Sequence, residues 1–184
     1  MKSHGMRLGL RVAVVVCVFG LFAVPAPKLV ADDALDIYNY AVGAYRQERW
    51  RQAEEAFKKF ADRFPDHPKV PTARLYRGLS LTNLRDYKTA QPVWREFVKD
   101  YPQNKNLPVA MYRVAESSYL LNDLKSAEKE FQVFLKDYPQ NDLTEWALPF
   151  LAETQLELNK PDEAVKTYKL AESRFPQSRL ANDV

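Results

Sequence analysis

Four aromatic-proline pairs, Phe64-Pro65, Tyr101-Pro102, Tyr138-Pro139 and Phe175-Pro176, recur along this chain at a constant spacing of 37 residues. The same period runs upstream of them. Ala53, Ala90, Ala127 and Ala164 align, and four positions later so do Phe57, Trp94, Phe131 and Tyr168. Three positions further stand Phe60, Phe97, Phe134 and Ala171, and an earlier column holds the small residues Ala41, Gly78, Ala115 and Ala152. Columns that keep one register at a period of roughly 20–50 residues mark a repeat array, in which one supersecondary unit is stacked on copies of itself.

Each column has a mechanical meaning. An alanine followed by large side chains at +4, +7 and +11 lays one apolar stripe along a helix of about three turns. The closing proline lacks an N–H and disfavours helical geometry at the aromatic before it, so the helix ends there. The small residue lies in an earlier helix and lets the two helices approach closely. Short polar links separate them: Gln47-Glu48-Arg49, Leu84-Arg85-Asp86, Asn122-Asp123 and Asn159-Lys160-Pro161. Asp86 and Asp123 suit the N-cap of the second helix. Pro71 and Pro108 suit the first turn of a following one, where a missing N–H costs little. Pro92 and Pro149 fall deeper in their helices and are expected to kink or shorten them. The unit is thus a helical hairpin, and stacking buries its second face, so that all units share one continuous apolar interior.

The first 31 residues read differently. They hold Lys2, Arg7, Arg11 and Lys28 and no acid, and Val12 to Val24 is an uncharged apolar run. About 20 residues are needed to span a bilayer, so a run of 13 fits the core of a secretory leader, cleaved after Ala26 or, better, after Ala31. The alternative is an uncleaved N-terminal membrane anchor. Cys17, the only cysteine, lies inside the apolar run with Val16 before it, where a lipidated cysteine would need a small residue. Residues 1–31 are therefore read as a signal peptide and 32–184 as the repeat domain, with units of about 34–70, 71–107, 108–144 and 145–181. Without the leader, 23 basic side chains face 24 acidic ones, so the net charge of +3 gives no reason to expect a nucleic-acid partner. Cleavage also removes every thiol, and with it disulfides and thiolate metal ligands.

These columns resemble the tetratricopeptide repeat, whose pattern is a small residue in the first helix, Ala and then a large aromatic in the second, and a closing Pro. The fit runs from about Ala34 to Pro176. The family's usual unit is three residues shorter, which places the extra residues in the link after the Pro, for example Asp66-His67-Pro68-Lys69-Val70. The near-identical stretches 94–104 and 131–141 look most like bacterial envelope members, such as the Tol-Pal coordinator and the BamD-type outer-membrane assembly lipoprotein. The chain departs from the latter in lacking a suitable lipid-attachment cysteine, and from the former in lacking an N-terminal coiled coil. The resemblance implies an all-α, right-handed α-solenoid of four hairpins whose first helices line a concave groove.

The groove positions that the resemblance implies are Leu35, Tyr38, Val42, Tyr45 and Arg46 in the first unit and Thr72, Leu75, Leu79, Thr82 and Asn83 in the second. Val109, Tyr112, Glu116, Tyr119 and Leu120 follow in the third, with Arg113 beside them, and Trp146, Pro149, Glu153, Leu156 and Glu157 in the fourth. This reads as an apolar, aromatic groove with Arg46 toward one end and Glu116, Glu153 and Glu157 toward the other. Tyr and Trp give large contact area with few torsions to freeze. About half of Tyr38, Tyr45, Tyr112, Tyr119 and Trp146 are expected to face the groove, the rest packing between helices. Members that clamp a terminal carboxylate use Lys, Asn and Arg; here the matching positions are Tyr38, Val42, Tyr76, Val109 and Arg113, so a free C-terminal carboxylate is not the expected ligand.

For catalysis the chain is poorly supplied. His4 belongs to the leader, His67 sits in a proline-flanked turn and reads as solvated, and only Gly43 and Gly78 remain after cleavage, too few for a phosphate loop. No HExxH or similar spacing points to a metal. Carboxylates such as Glu54, Glu55, Glu128, Glu130 and Glu157 interleave with Lys and Arg as solvated helix faces do. The sequence therefore reads as a non-catalytic scaffold, periplasmic or secreted, without cofactor, metal or transmembrane span after cleavage. It would hold a protein or peptide segment in its groove. The alternative is a self-assembling or outer-membrane assembly subunit, an envelope complex or homo-oligomer, that works through its solenoid ends. The last helix, with Val165, Tyr168 and Ala171, has no polar capping helix after it and is expected to be covered by a partner, a second copy or further residues.

Overall fold

The computed structural model describes residues 27–177, which form eight α-helices and no strand. In chain order they are α1 (Pro27–Arg46), α2 (Trp50–Arg63), α3 (Val70–Asn83), α4 (Tyr87–Asp100), α5 (Leu107–Leu120), α6 (Leu124–Asp137), α7 (Thr144–Glu157) and α8 (Pro161–Arg174). The expected leader lies outside the described residues as far as Ala26, and from Pro27 the chain is already helix α1. Each helix packs against the next in sequence, and the first helices α1 and α3, and α5 and α7, also touch. Four hairpins stacked in this way form the all-α solenoid that the period requires.

The second helices follow their stripe. Phe57, Phe60, Trp94, Phe97, Phe131 and Phe134 are fully buried, and Ala53, Ala90, Ala127 and Ala164 lie beneath them. Asp86 accepts the N–H of Thr89 at 3.2 Å and Asp123 that of Ser126 at 3.4 Å, so both aspartates cap as expected, while Arg49 and Lys160 at the same position do not. Each second helix stops one residue before the aromatic of its Pro pair.

Three features depart from the sequence reading. Helices α4 and α7 keep the 14-residue length of their neighbours despite Pro92 and Pro149. Each proline is the sixth residue of its helix, so the only carbonyls deprived of a partner are those of Lys88 and Glu145, in or next to the first turn. The interior, expected to be continuous, divides into three clusters, because each inner first helix buries one face in the hairpin before it and another in its own. On α3, Ala73 and Tyr76 serve the first cluster while Leu75 and Leu81 serve the second. Finally, His67 is not a freely solvated turn residue. Its ring stands edge-on to Phe60 at 5.1 Å, and Nδ1 accepts the N–H of Lys69 at 3.1 Å. Asn104 and Asn141 do the same one and two periods on, accepting from Asn106 and Leu143. These local bonds order the longer link after each proline.

The bend inside each hairpin repeats an unusual backbone. Glu48, Arg85, Asn122 and Asn159, one period apart, all have φ of 57–60°. The following residue returns its N–H to the carbonyl five residues back, as Arg49 does to Ala44 at 2.9 Å and Asp86 to Leu81 at 3.0 Å, which closes the helix with a left-handed cap. Glycine is the usual occupant, and none of the four is glycine.

The junctions between units are not alike. Tyr76 stacks on Phe57 of the preceding unit at 5.7 Å and 19°, and Phe150 stacks on Phe131 at 5.8 Å and 5°. The same position in the third unit is Arg113. There no ring stacks; beside the apolar cluster that Ala110 and Val114 form with Trp94 and Phe97, Gln91 donates to Ser118, Ser118 to Glu130, and Arg95 pairs with Glu130 at 2.8 Å.

Two outcomes follow for stability. A Cβ on Gly78 would lie 2.6 Å from the Trp94 ring, so Gly78→Ala should lower stability by about 1–3 kcal/mol in urea melts, and Trp94→Phe should recover part of the loss. Arg85→Gly, which removes Cβ from the left-handed position, should gain about 0.5–1 kcal/mol in the same assay, whereas Asn122→Gly should change little.

Candidate partner-binding groove

The first helices turn a second set of side chains away from their hairpin partners. In the first unit these build a cleft of about 480 Å³ whose walls include Tyr38, Val42, Tyr45 and Arg46 of α1 and Thr72 and Tyr76 of α3. Tyr45 meets Trp50 and Tyr76 edge-on at 5.0 and 4.7 Å, and Tyr38 leans on Phe60 at 5.2 Å. Lys69 sits over the Tyr38 ring at 5.0 Å, and Arg46 is exposed at the rim. Burial, and then the neighbouring Tyr76, raise the Tyr45 hydroxyl above its ordinary pKa, while Arg113 pulls it down. Arg113 belongs to the third unit, so its field reaches a residue of the first across the concave side.

Farther along the face, Arg113 donates through one nitrogen to both oxygens of Glu116, at 2.8 and 2.6 Å, and its guanidinium lies over Tyr112 at 5.4 Å. Tyr112 also donates to Glu116, at 3.3 Å. Burial first, and then the Glu116 charge, hold the Tyr112 phenol well above its usual range. In the last units Tyr119 reaches Glu153 at 3.0 Å and Glu157 at 3.3 Å, and its ring meets Phe150 at 5.2 Å. The Tyr119 phenol is likewise raised, by burial and then by its hydrogen bond to Glu153.

Measured against the sequence reading, Tyr38, Val42, Tyr45, Leu79, Tyr119 and Glu153 lie half-buried, and Arg46 and Trp146 are exposed, Trp146 to 48%. Leu75, Tyr112 and Pro149 are core residues instead. Tyr112 is 3% exposed because its ring is wedged against Phe131 and Phe134, so it is a packing residue of the third unit. Glu116, 9% exposed and bound to Arg113, is likewise no free charge. The charge that remains along the face is Arg46 and Lys69 at one end and Glu153 and Glu157 at the other. Tyr76 was not on the sequence-derived groove list. Its column reads Asn39, Tyr76, Arg113, Phe150, and the alternation of ring and polar group is the signal that could have revealed it. Among the described residues no three His, Cys, Asp or Glu side chains gather as metal ligands, and no helix is long and apolar enough to cross a membrane.

A family model described as YfiO, outer membrane lipoprotein, matches residues 30–145, well over half of the chain. The chain belongs to that family. A tetratricopeptide-repeat model matches residues 151–178, the second half of α7 and all of α8. Among solved structures, this YfiO-family chain is similar to YrrB, described as a TPR protein with an unusual peptide-binding site, at 18% identity and a TM-score of 0.71, covering 85% of this chain and 76% of that one. It is similar also to MamA from Desulfovibrio magneticus RS-1, at 17% identity and a TM-score of 0.66 over 80% and 79% of the two chains. PilF of Pseudomonas aeruginosa matches at 18% identity and a TM-score of 0.63, over 85% and 68%. At these identities the likeness shows a shared tetratricopeptide fold. No curated protein sequence matches the chain significantly.

The division between wall and core is testable. Tyr112→Ala should cost about 3–5 kcal/mol in equilibrium unfolding, as loss of a buried ring does. Trp146→Ala should cost less than about 0.5 kcal/mol, as expected for an exposed side chain.

Proposed function

We propose that this chain is a non-catalytic scaffold of the bacterial cell envelope that holds an extended or helical segment of a partner protein against its concave face. The observation that carries this reading is the aromatic cleft formed by Tyr38, Val42, Tyr45 and Tyr76, open at the surface and rimmed by Arg46. Rings fixed edge-on to one another are already ordered before a partner arrives, so little side-chain entropy is lost on docking. Their burial supplies affinity. The basic end at Arg46 and Lys69 and the acidic end at Glu153 and Glu157 set the direction in which a segment lies, since misdirected charges repel. A segment acidic at one end and basic at the other fits this gradient, and a terminal carboxylate is not needed for it.

Membership of an outer membrane lipoprotein family and the apolar leader both support placement in the envelope. The leader makes the chain a periplasmic or secreted protein after cleavage, or an anchored one without it. The catalytic reading finds no support in the site. On the concave face Glu116 is engaged by Arg113 and Glu153 by Tyr119, so neither carboxylate stands free as a general acid or base.

Site-specific photo-crosslinking in cells tests the groove. A photoreactive residue at Tyr45 or Trp146 should capture one and the same partner, while one at the exposed second-helix positions Lys88 or Lys136 should not. Arg46→Glu should reduce capture at Tyr45 severalfold with the helical content unchanged. Equal capture at the groove and second-helix positions would overturn the assignment.

A further inference from the structure

The solenoid carries the same surface depression twice. One lies at the middle junction, where Met111 and Val114 of α5 and Ser126, Lys129, Glu130 and Val133 of α6 form a groove of about 450 Å³, closed on one side by Arg95 and Val98 of α4. The other lies at the N-terminal end. It measures about 440 Å³ and is lined by Asp36, Ile37 and Tyr40 of α1 and Gln52, Glu55, Ala56 and Lys59 of α2. Asp36 apart, the second set lies, position by position, two repeat periods before the first. Among the described residues no second helix of a preceding unit closes the end groove. Tyr40 is accordingly 54% exposed, whereas Val114 in the same place is buried.

Among the described helices only α8 is a second helix without a following first helix packed on it. Its side chains answer the end groove in register. At the first junction Glu54 pairs with Arg77 at 2.9 Å. The residues in those two places at the ends are Val165 of α8, 49% exposed, and Tyr40, so an ion pair is replaced by two apolar groups. At the middle junction Val98 and Val133 flank the groove, and in their places stand Glu172 and Lys59, an acid and a base. Arg95, which pairs with Glu130, is replaced by Lys169; Glu130's own counterpart is Ala56, with Glu55 beside it. In the first two cases both partners change and the pair keeps a match, apolar with apolar or acid with base.

We propose that the N-terminal end groove docks the outer face of α8 of a second copy, so that copies extend one solenoid head to tail through the geometry of the internal junctions. The chain's own residues 1–26 bring bases for Asp36 and Glu55 but no acid for Lys59, whereas α8 brings both, Lys169 and Glu172. The contact is heterologous. Repetition therefore gives an open filament or a ring, with the concave faces in series. The proposal stands independently of what the groove binds.

The test uses two differently tagged full-length copies, both Cys17→Ser, co-expressed in one bacterium and treated with a short bismaleimide. Tyr40→Cys in one copy and Val165→Cys in the other should give a cross-linked pair that carries both tags, with little product from either variant alone. Lys59→Glu in the first copy should cut the yield about tenfold, and Glu172→Lys in the second should restore it. Cross-linking of Tyr40→Cys copies to one another, which means a symmetric face-to-face dimer, would overturn the proposal. So would the absence of any product from copies of native helical content, or a yield indifferent to both charge changes.

Discussion

Close approach of the two helices within each hairpin governs the rest of the molecule. A large ring on the second helix must find a shallow place on the first, and the column Ala41, Gly78, Ala115, Ala152 provides it in every unit. The sizes are matched individually: the largest ring, Trp94, meets the smallest residue, and the Phe57 and Phe131 units have alanine. With that spacing fixed, the aromatic stripe is fully buried, the angle between helices is set, and the outward face of each first helix is left to line a concave surface. The groove is thus a by-product of packing on the opposite side of the same helices.

This explains which parts of the structure are legible in the sequence. Helix ends, buried rings and the aspartate caps are periodic because every unit solves the same packing problem, so a column names them. The two interior prolines do not shorten their helices, because a missing N–H matters less near the start of a helix than the pattern alone conveys. The groove is read less well. Tyr112 and Tyr119 occupy one helix about two turns apart, yet Tyr112 is closed in by Phe131 and Phe134 while Tyr119 opens toward Glu153. Both are tyrosines at groove positions, and only the packing of the next helix separates them. Periodicity locates a face of a helix but does not say which residues the adjacent unit covers.

The charges tell a similar story. A count of acids along the groove includes Glu116, which the fold spends on Arg113, itself standing where the second and fourth units have rings. Three further salt bridges link units, Arg77 to Glu54, Arg95 to Glu130 and Lys160 to Glu128, each with a half-buried carboxylate. Pairs of this kind add modestly to stability and more to register, because a slipped unit would leave them unpaired.

No ring stack forms at the middle junction. The outer junctions stack Phe57 on Tyr76 and Phe131 on Phe150, whereas here Ala110 and Val114 cluster with Trp94 and Phe97, and Gln91, Ser118, Glu130 and Arg95 bond beside them. Ring stacks resist sliding because any displacement opens a void. The polar contacts resist it differently, since their bonds are met at only one setting of α4 against α5 and α6. The array thus has two locks on its alignment, shape at the outer junctions and bond direction at the central one.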